Sequence, residues 1–222
     1  MFKDRQSAGK ILAKRLQDIQ GVRGNKEAIV LGIPRGGVVV AHEVAKELKL
    51  SLDIIVTRKI GAPMQPELAV GAVDADGQVV WDYQLLKQLE FQISNFKFQI
   101  EEERNEIKRR EQVYRQGRSL LDVSDKTVIL VDDGIATGAT TLAAIRFFKR
   151  HGARKIILAV PVASKEALDR MVGELGEVGP PAGEAGEIVV LEIPEHFQAV
   201  GQFYEEFGEV SDEEVVQLLN NG

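Results

Sequence analysis

The chain has 222 residues, 44% of them hydrophobic, a formal charge of −6 and no cysteine. That length and apolar content suffice for one substantial core, and the lack of cysteine excludes disulfides, zinc–thiolate sites and thiol nucleophiles. Net negative charge argues against nucleic acid as the main partner, and no run approaches the ~18 apolar residues of a membrane span. Residues 1–6 lack the apolar core of a signal peptide, so the expected location is the cytoplasm.

In chain order, residues 4–20 predict an amphipathic helix with Ala8, Ile11, Leu12, Leu16 and Ile19 on one face. A strand over 28–33 leads into a helix over 37–49, and a second strand spans 52–58. Residues 68–73 and 78–81 predict a hairpin about Asp74-Ala75-Asp76-Gly77. A long polar helix over 83–116 follows, with five acids and six bases mixed over 101–118. Its sparse apolar stripe, including Phe96 and Ile100, either packs on the domain or joins two copies as a homodimer. The interleaved glutamates argue against RNA. Then come strand 127–131, helix 139–151, strand 155–160, helix 164–173, a surface loop over 176–186 and strand 187–193. The last helix, 211–220, is capped by Ser211 with Glu214 three residues on.

Strands alternating with helices predict an α/β fold: an open, mainly parallel sheet flanked by helices, with right-handed crossovers. The chain reads as one domain over 1–222, with 83–118 a helical insertion and 194–222 a C-terminal tail. Charge is uneven along it. Of the 34 acids twelve lie in residues 171–222, where no Lys or Arg occurs, so residues 1–170 hold 28 bases and 22 acids. A cationic body would speed encounter with a small polyanion, although an ordinary surface with an acidic last helix accounts for the numbers equally well. The three histidines, His42, His151 and His196, have no metal-ligand spacing and read as helix-surface or capping residues.

The most informative stretch runs from Thr127 to Thr141. A buried strand ends in adjacent carboxylates, Asp132 and Asp133. Gly134 and the small-residue loop Ala136-Thr137-Gly138-Ala139-Thr140-Thr141 follow, and then a helix starts. Backbone N–H groups of such a loop can close round a phosphate, aided by the positive end of the helix. The carboxylates repel that phosphate and must face sugar hydroxyls, a metal ion or developing positive charge. A phosphorylated ribose meets all of these conditions. Neither a G-K-[ST] step nor a G-x-G-x-x-G fingerprint is present.

This segment resembles the signature of type I phosphoribosyltransferases, which bind 5-phosphoribosyl-1-pyrophosphate (PRPP). Two further segments are similar to parts of that family. The turn Pro34-Arg35-Gly36-Gly37 resembles its pyrophosphate loop, with Arg35 adding a planar cationic fork to the turn's amides. Arg58-Lys59-Ile60-Gly61-Ala62-Pro63 resembles the basic pair before the mobile loop that closes over PRPP. The resemblance continues through Ala199-Val200-Gly201, as in a group of bacterial proteins identified as phosphoribosyltransferases by sequence.

The resemblance implies a fold with a small hood over the sheet, supplied here by the N-terminal helix and residues 194–207. Phe197 or Tyr204 is then the expected wall for an acceptor ring, with Phe203 and Phe207 anchoring the tail. It implies transfer of the phosphoribosyl group to a nitrogenous acceptor, a nucleobase in most of the family, with release of pyrophosphate. Residues Ala136 to Thr141 would hold the 5-phosphate. Asp132 and Asp133 would bind the ribose hydroxyls directly or through Mg²⁺ and favour the cationic transition state. Arg35, Gly36 and Gly37 would take the leaving group, with Arg58 and Lys59 near the closing loop. Ala136 stands where enzymes for 6-oxopurines carry an aspartate, which argues against hypoxanthine or guanine. A PRPP-sensing regulator on the same fold remains the alternative, because fold does not fix function.

Overall fold

The computed structural model describes residues 1–19, 22, 24–25, 27–176 and 184–221. Its main sheet holds five parallel strands in the order β2-β1-β6-β7-β8. These are β1 (Ala28–Gly32), β2 (Ser51–Ile54), β6 (Thr127–Val131), β7 (Lys155–Val162) and β8 (Glu187–Glu192). β1 and β6 are buried along their whole length, as near-continuous apolar runs demand when helices cover both faces. Ile29, Leu31, Val128 and Leu130 point to the face covered by α5 (Ala139–Arg150) and α6 (Lys165–Gly176). Val30, Ile129 and Val131 point to the other, covered by α1 (Arg5–Leu16) and α2 (Gly36–Leu48). Gly9 lets these last two helices meet closely, since a Cβ there would lie 2.8 Å from Val40 O.

The direction of winding reverses between β1 and β6, which pair in register from Ala28↔Thr127 to Gly32↔Val131. From β1 the chain passes through α2 to β2 on one side; from β6 it passes through α5 and α6 to β7 and β8 on the other. The carboxyl ends of adjacent strands whose connections diverge leave a crevice, and in open α/β sheets ligands bind there.

A second, antiparallel sheet holds β3 (Arg58–Ala62), β4 (Gln65–Val73) and β5 (Val79–Trp81) in that order. The hairpin of β4 and β5 forms as expected, about a turn in which Asp74 Oδ1 accepts from the amides of Asp76 and Gln78. The expected strand 52–58, however, is two strands in different sheets. Pairing with β1 stops at Ile54, and residues 55–57 turn the chain before Arg58 pairs with Val73. Ala72 and Val80 of this sheet pack on Ala143 of α5.

The expected single helix over 83–116 is also divided, into α3 (Tyr83–Gln88), a 3-10 turn (Ile93–Phe96) and α4 (Lys97–Arg115). Glu90 takes a left-handed φ of 56°, and the break lets Phe91 set its ring edge-on to Phe96 at 5.9 Å. One straight helix would place these rings on different faces. Phe96 is buried with Ile107 and Tyr114 against Val70 and Val73, and Ile100 packs on the same cluster. Phe96, Ile100, Ile107 and Tyr114 of the apolar stripe are thus used within the chain, whereas Ile93 and Val113 are exposed. α7 (Asp212–Asn220) closes this side, with Ser211 accepting from Glu214 N as expected. Of the expected loop over 176–186, residues 177–183 lie outside the described residues, as does Gln20 at the end of the first expected helix.

Candidate active site at the sheet switch point

Asp132 and Asp133 leave the end of β6 in the crevice, directly against the turn that follows β1. The Pro34–Arg35 peptide is cis. Gly37 sits so close to the acid pair that a Cβ there would lie 2.7 Å from Asp132 Oδ1, and a Cβ on Gly36 would overlap Asp133 Oδ2. Only glycine permits both contacts. Asp132 Oδ1 accepts from the Asp133 amide at 2.8 Å, which fixes the first carboxylate. Burial, and then the neighbouring charge of Asp133, push the Asp132 carboxyl well above the usual carboxylate range. Burial raises Asp133 too, while the Arg5 guanidinium pulls it back.

Arg5 was not foreseen as a site residue. From the first turn of α1 its Nε donates to Asp133 Oδ2 at 2.7 Å, and its Nη1 donates to Gly208 O at 2.8 Å. The guanidinium carbon lies 3.7 Å over the Phe207 ring. Tyr204 adds a second tie, its hydroxyl donating to Asp133 O at 2.6 Å. Tyr204 is buried beside Phe2, and the two chain ends are joined by hydrogen bonds from Phe2 N to Phe203 O and from Glu205 N to Phe2 O. Residues 2–5 and 203–208 are therefore one structure laid over Asp133, whereas the rest of the expected N-terminal hood helix flanks the main sheet. The expectation of a hood was legible; the choice of Arg5 was not, because a single cation beside an N-cap aspartate has no distinctive pattern.

The phosphate-loop candidates continue from the pair. Ser164 Oγ donates to Ala136 O at 2.7 Å and shapes the bend. Gly138, at φ 77°, opens α5, and no side chain caps that first turn. Ala136 and Thr137 are exposed, Ala139 and Thr140 partly so, and Thr141 is buried. An uncapped helix start with small side chains offers amide donors and a positive dipole end to an anion.

The basic candidates are placed differently. Arg35 Nη2 donates to Glu209 Oε1 at 2.7 Å, and Asp212 Oδ1 lies 3.9 Å from its Nη1. Arg58 and Lys59 lie on β3, where Arg58 Nε meets Glu103 Oε2 and Lys59 Nζ meets Glu67 Oε2, each at 2.7 Å. Among the described residues no hydrogen bond or ion pair links either to the acid pair. The hairpin tip beyond them carries the fully exposed Met64. Beside the hood, Lys165, Glu166 and residues 193–198 line a pocket of about 480 Å³ that includes Phe197. Phe197 also packs on Phe203. Among the described residues no group of three or more His, Asp or Glu could hold a metal unaided, and no helix is long and apolar enough to cross a membrane.

Comparison with known proteins agrees with this architecture. A protein of Mycobacterium tuberculosis, provisionally named a phosphoribosyl transferase, is 41% identical over 220 residues, 99% of this chain and 46% of its own length. The chain thus spans about half the length of that relative. A uracil phosphoribosyltransferase of Kocuria rhizophila is 39% identical over 56 residues, 25% of this chain and 26% of its own. The crystal structure of a Thermus thermophilus protein, 38% identical, superposes with a TM-score of 0.77 over 99% of this chain and 98% of that one. The family model described as the phosphoribosyl transferase domain matches residues 2–173, which include the glycine turn, the acid pair and the small-residue loop. On these grounds the chain belongs to the phosphoribosyl transferase domain family.

Proposed function

We propose that this chain transfers the 5-phosphoribosyl group of PRPP to a nitrogenous acceptor and releases pyrophosphate. The observation that carries the reading is the packing of Asp132 and Asp133 on Gly36-Gly37 at the switch point, followed five residues after Asp133 by the uncapped start of α5. The uncapped turn takes the 5-phosphate. The ribose then lies toward the carboxylates, which accept from its hydroxyls. As the bond from the anomeric carbon to pyrophosphate breaks, its electron pair leaves with pyrophosphate and positive charge develops on the ribose ring. Two fixed carboxylates in a partly buried site favour that charge. The acceptor nitrogen supplies the pair for the new bond to carbon.

The Gly36-Gly37 turn presents backbone donors to the leaving group, with Arg35 beside it. Mg²⁺ suits the donor set: it takes one or two carboxylates and completes its shell with water and phosphate oxygens, so a pair without a third protein ligand fits it. Asp132 and Asp133 would hold it, and it would neutralise diphosphate charge. The pocket lined by Phe197 is the place for a planar acceptor, and Ala136 disfavours a 6-oxopurine.

Calorimetric titration with PRPP, followed by pyrophosphate release across a panel of nucleobases, tests the reading. Binding that is lost in the Asp132→Asn, Asp133→Asn double variant, with turnover on one base, is the expected result. PRPP binding without turnover on any base would instead make the protein a PRPP sensor. No binding by folded protein would end both readings.

A further inference from the structure

The hood holds Asp133 in a way the phosphoribosyl reading does not require. Two groups from opposite ends of the chain converge on that one residue: the Arg5 guanidinium on its carboxylate and the Tyr204 hydroxyl on its carbonyl. Arg5 is itself fixed. Its side chain is only 12% exposed, its flat face rests on Phe207, and its Nη1 is anchored on Gly208 O. The helix that bears it starts from a capped turn, Asp4 Oδ1 accepting from Ser7 N at 2.6 Å. The same α1 is locked against α2 through Gly9, and α2 begins at Gly36, which packs on Asp133 Oδ2 and on Arg5 Nε alike, a Cβ there falling 2.8 Å from Nε.

A guanidinium so held presents one donor in one place, and Asp133 Oδ2 must lie there. With Oδ2 so engaged, Oδ1 is the oxygen left for a ligand, in a carboxyl that also lies against that of Asp132. We infer that Arg5 is a positioning residue: by binding Oδ2 of Asp133 it aims the other carboxylate oxygen into the crevice where the ribose of PRPP lies. The inference rests on the PRPP reading above. It concerns a cation from outside the glycine turn, the small-residue loop and the basic pair. Partners that orient a functional carboxylate in this way typically change affinity or activity about 10–100-fold when removed.

The test is PRPP binding by calorimetry for the wild-type chain, Arg5→Ala, Arg5→Lys and Phe207→Leu, each repeated with millimolar methylguanidinium. Arg5→Ala is expected to weaken binding about tenfold or more, and methylguanidinium, which fits the vacated slot, to restore part of the loss. Arg5→Lys retains charge but has no planar fork, so it should also bind more weakly. Phe207→Leu loosens the tail and leaves Arg5 its carboxylate partner, so most of the affinity should survive. Wild-type affinity in both Arg5 variants would overturn the inference. So would equal losses in Arg5→Ala and Phe207→Leu with no methylguanidinium rescue, since Arg5 would then only anchor the tail. A wild-type chain that binds no PRPP would defeat the phosphoribosyl reading itself, and this inference with it.

Discussion

Arg35 Nη2 lies 2.7 Å from Glu209 Oε1, so the glycine turn proposed as the pyrophosphate site is tied to the acidic tail. The bond joins residues 174 positions apart, and Glu209 is 82% exposed. So exposed a pair contributes at most about 1 kcal/mol to stability. Its consequence is for ligand binding, because a diphosphate must take Arg35 from the carboxylate.

Glu209→Gln should therefore bind PRPP and pyrophosphate more tightly than wild type, by a few-fold, with an unchanged melting temperature. The gain should shrink as salt rises, because the competing attraction is screened within about 10 Å at 0.1 M ionic strength. Calorimetry at two salt concentrations checks both statements. A weaker affinity in the variant would mean that Glu209 helps to hold the site open.

Asp132 leads to a prediction for stability itself. Its folded-state pKa is raised above the ordinary value of 3.8, chiefly by burial and then by Asp133, so the folded chain binds this proton more strongly than the unfolded one. Stability from that proton is full below 3.8 and is lost as pH rises through the raised folded value. Asp132→Asn keeps the Oδ1 acceptor for the Asp133 amide and removes the charge. The variant should melt about 2–4 °C higher at neutral pH, a gain of about 1 kcal/mol, and should lose turnover. Its melting temperature should also vary less with pH than that of wild type above pH 3.8. Thermal denaturation across that range decides.

Arg115 and Asp53 form a buried pair between α4 and β2. Asp53 Oδ1 accepts from Arg115 Nε at 3.2 Å, and Oδ2 accepts from Leu121 N at 2.9 Å. Arg115 also donates to Ile54 O at 2.7 Å, so it ties α4 to the last residue of β2. Replacing it with Met leaves a buried carboxylate without its counter-ion, at a cost of about 3–5 kcal/mol. Urea denaturation should show that loss for Arg115→Met and recover part of it in the double variant with Asp53→Asn. A loss below about 1 kcal/mol would place the pair among ordinary surface bridges.

The crevice was legible because its parts are contiguous in sequence. Buried strand, acid pair and small-residue loop follow one another without interruption, and Pro34-Arg35-Gly36-Gly37 immediately follows a second buried strand. Local pattern fails where the chain changes direction for tertiary reasons. Residues 52–58 read as one strand because apolar character runs unbroken from Ile54 to Val56, although pairing moves to another sheet at Arg58. Helix character likewise runs through Glu90, and only the burial of Phe91 beside Phe96 selects the break. The partners of the charged site residues were beyond reach for a simpler reason. Arg5 and Asp133 are 128 positions apart, and nothing local marks either as the other's counterpart.

The join between Phe2 and residues 203–205 has a consequence for how the protein is made. Contacts that span nearly the whole chain close last, since loop-closure entropy must be met before they are rewarded. Arg5 meets Gly208 O across 203 positions, so it cannot reach its seat while residue 208 is still inside the ribosome. A nascent chain can stack β1, β6 and β7 and still lack the clasp over Asp133. The clasp over Asp133 thus forms only after residues 203–208 have emerged and returned to meet Phe2 and Arg5.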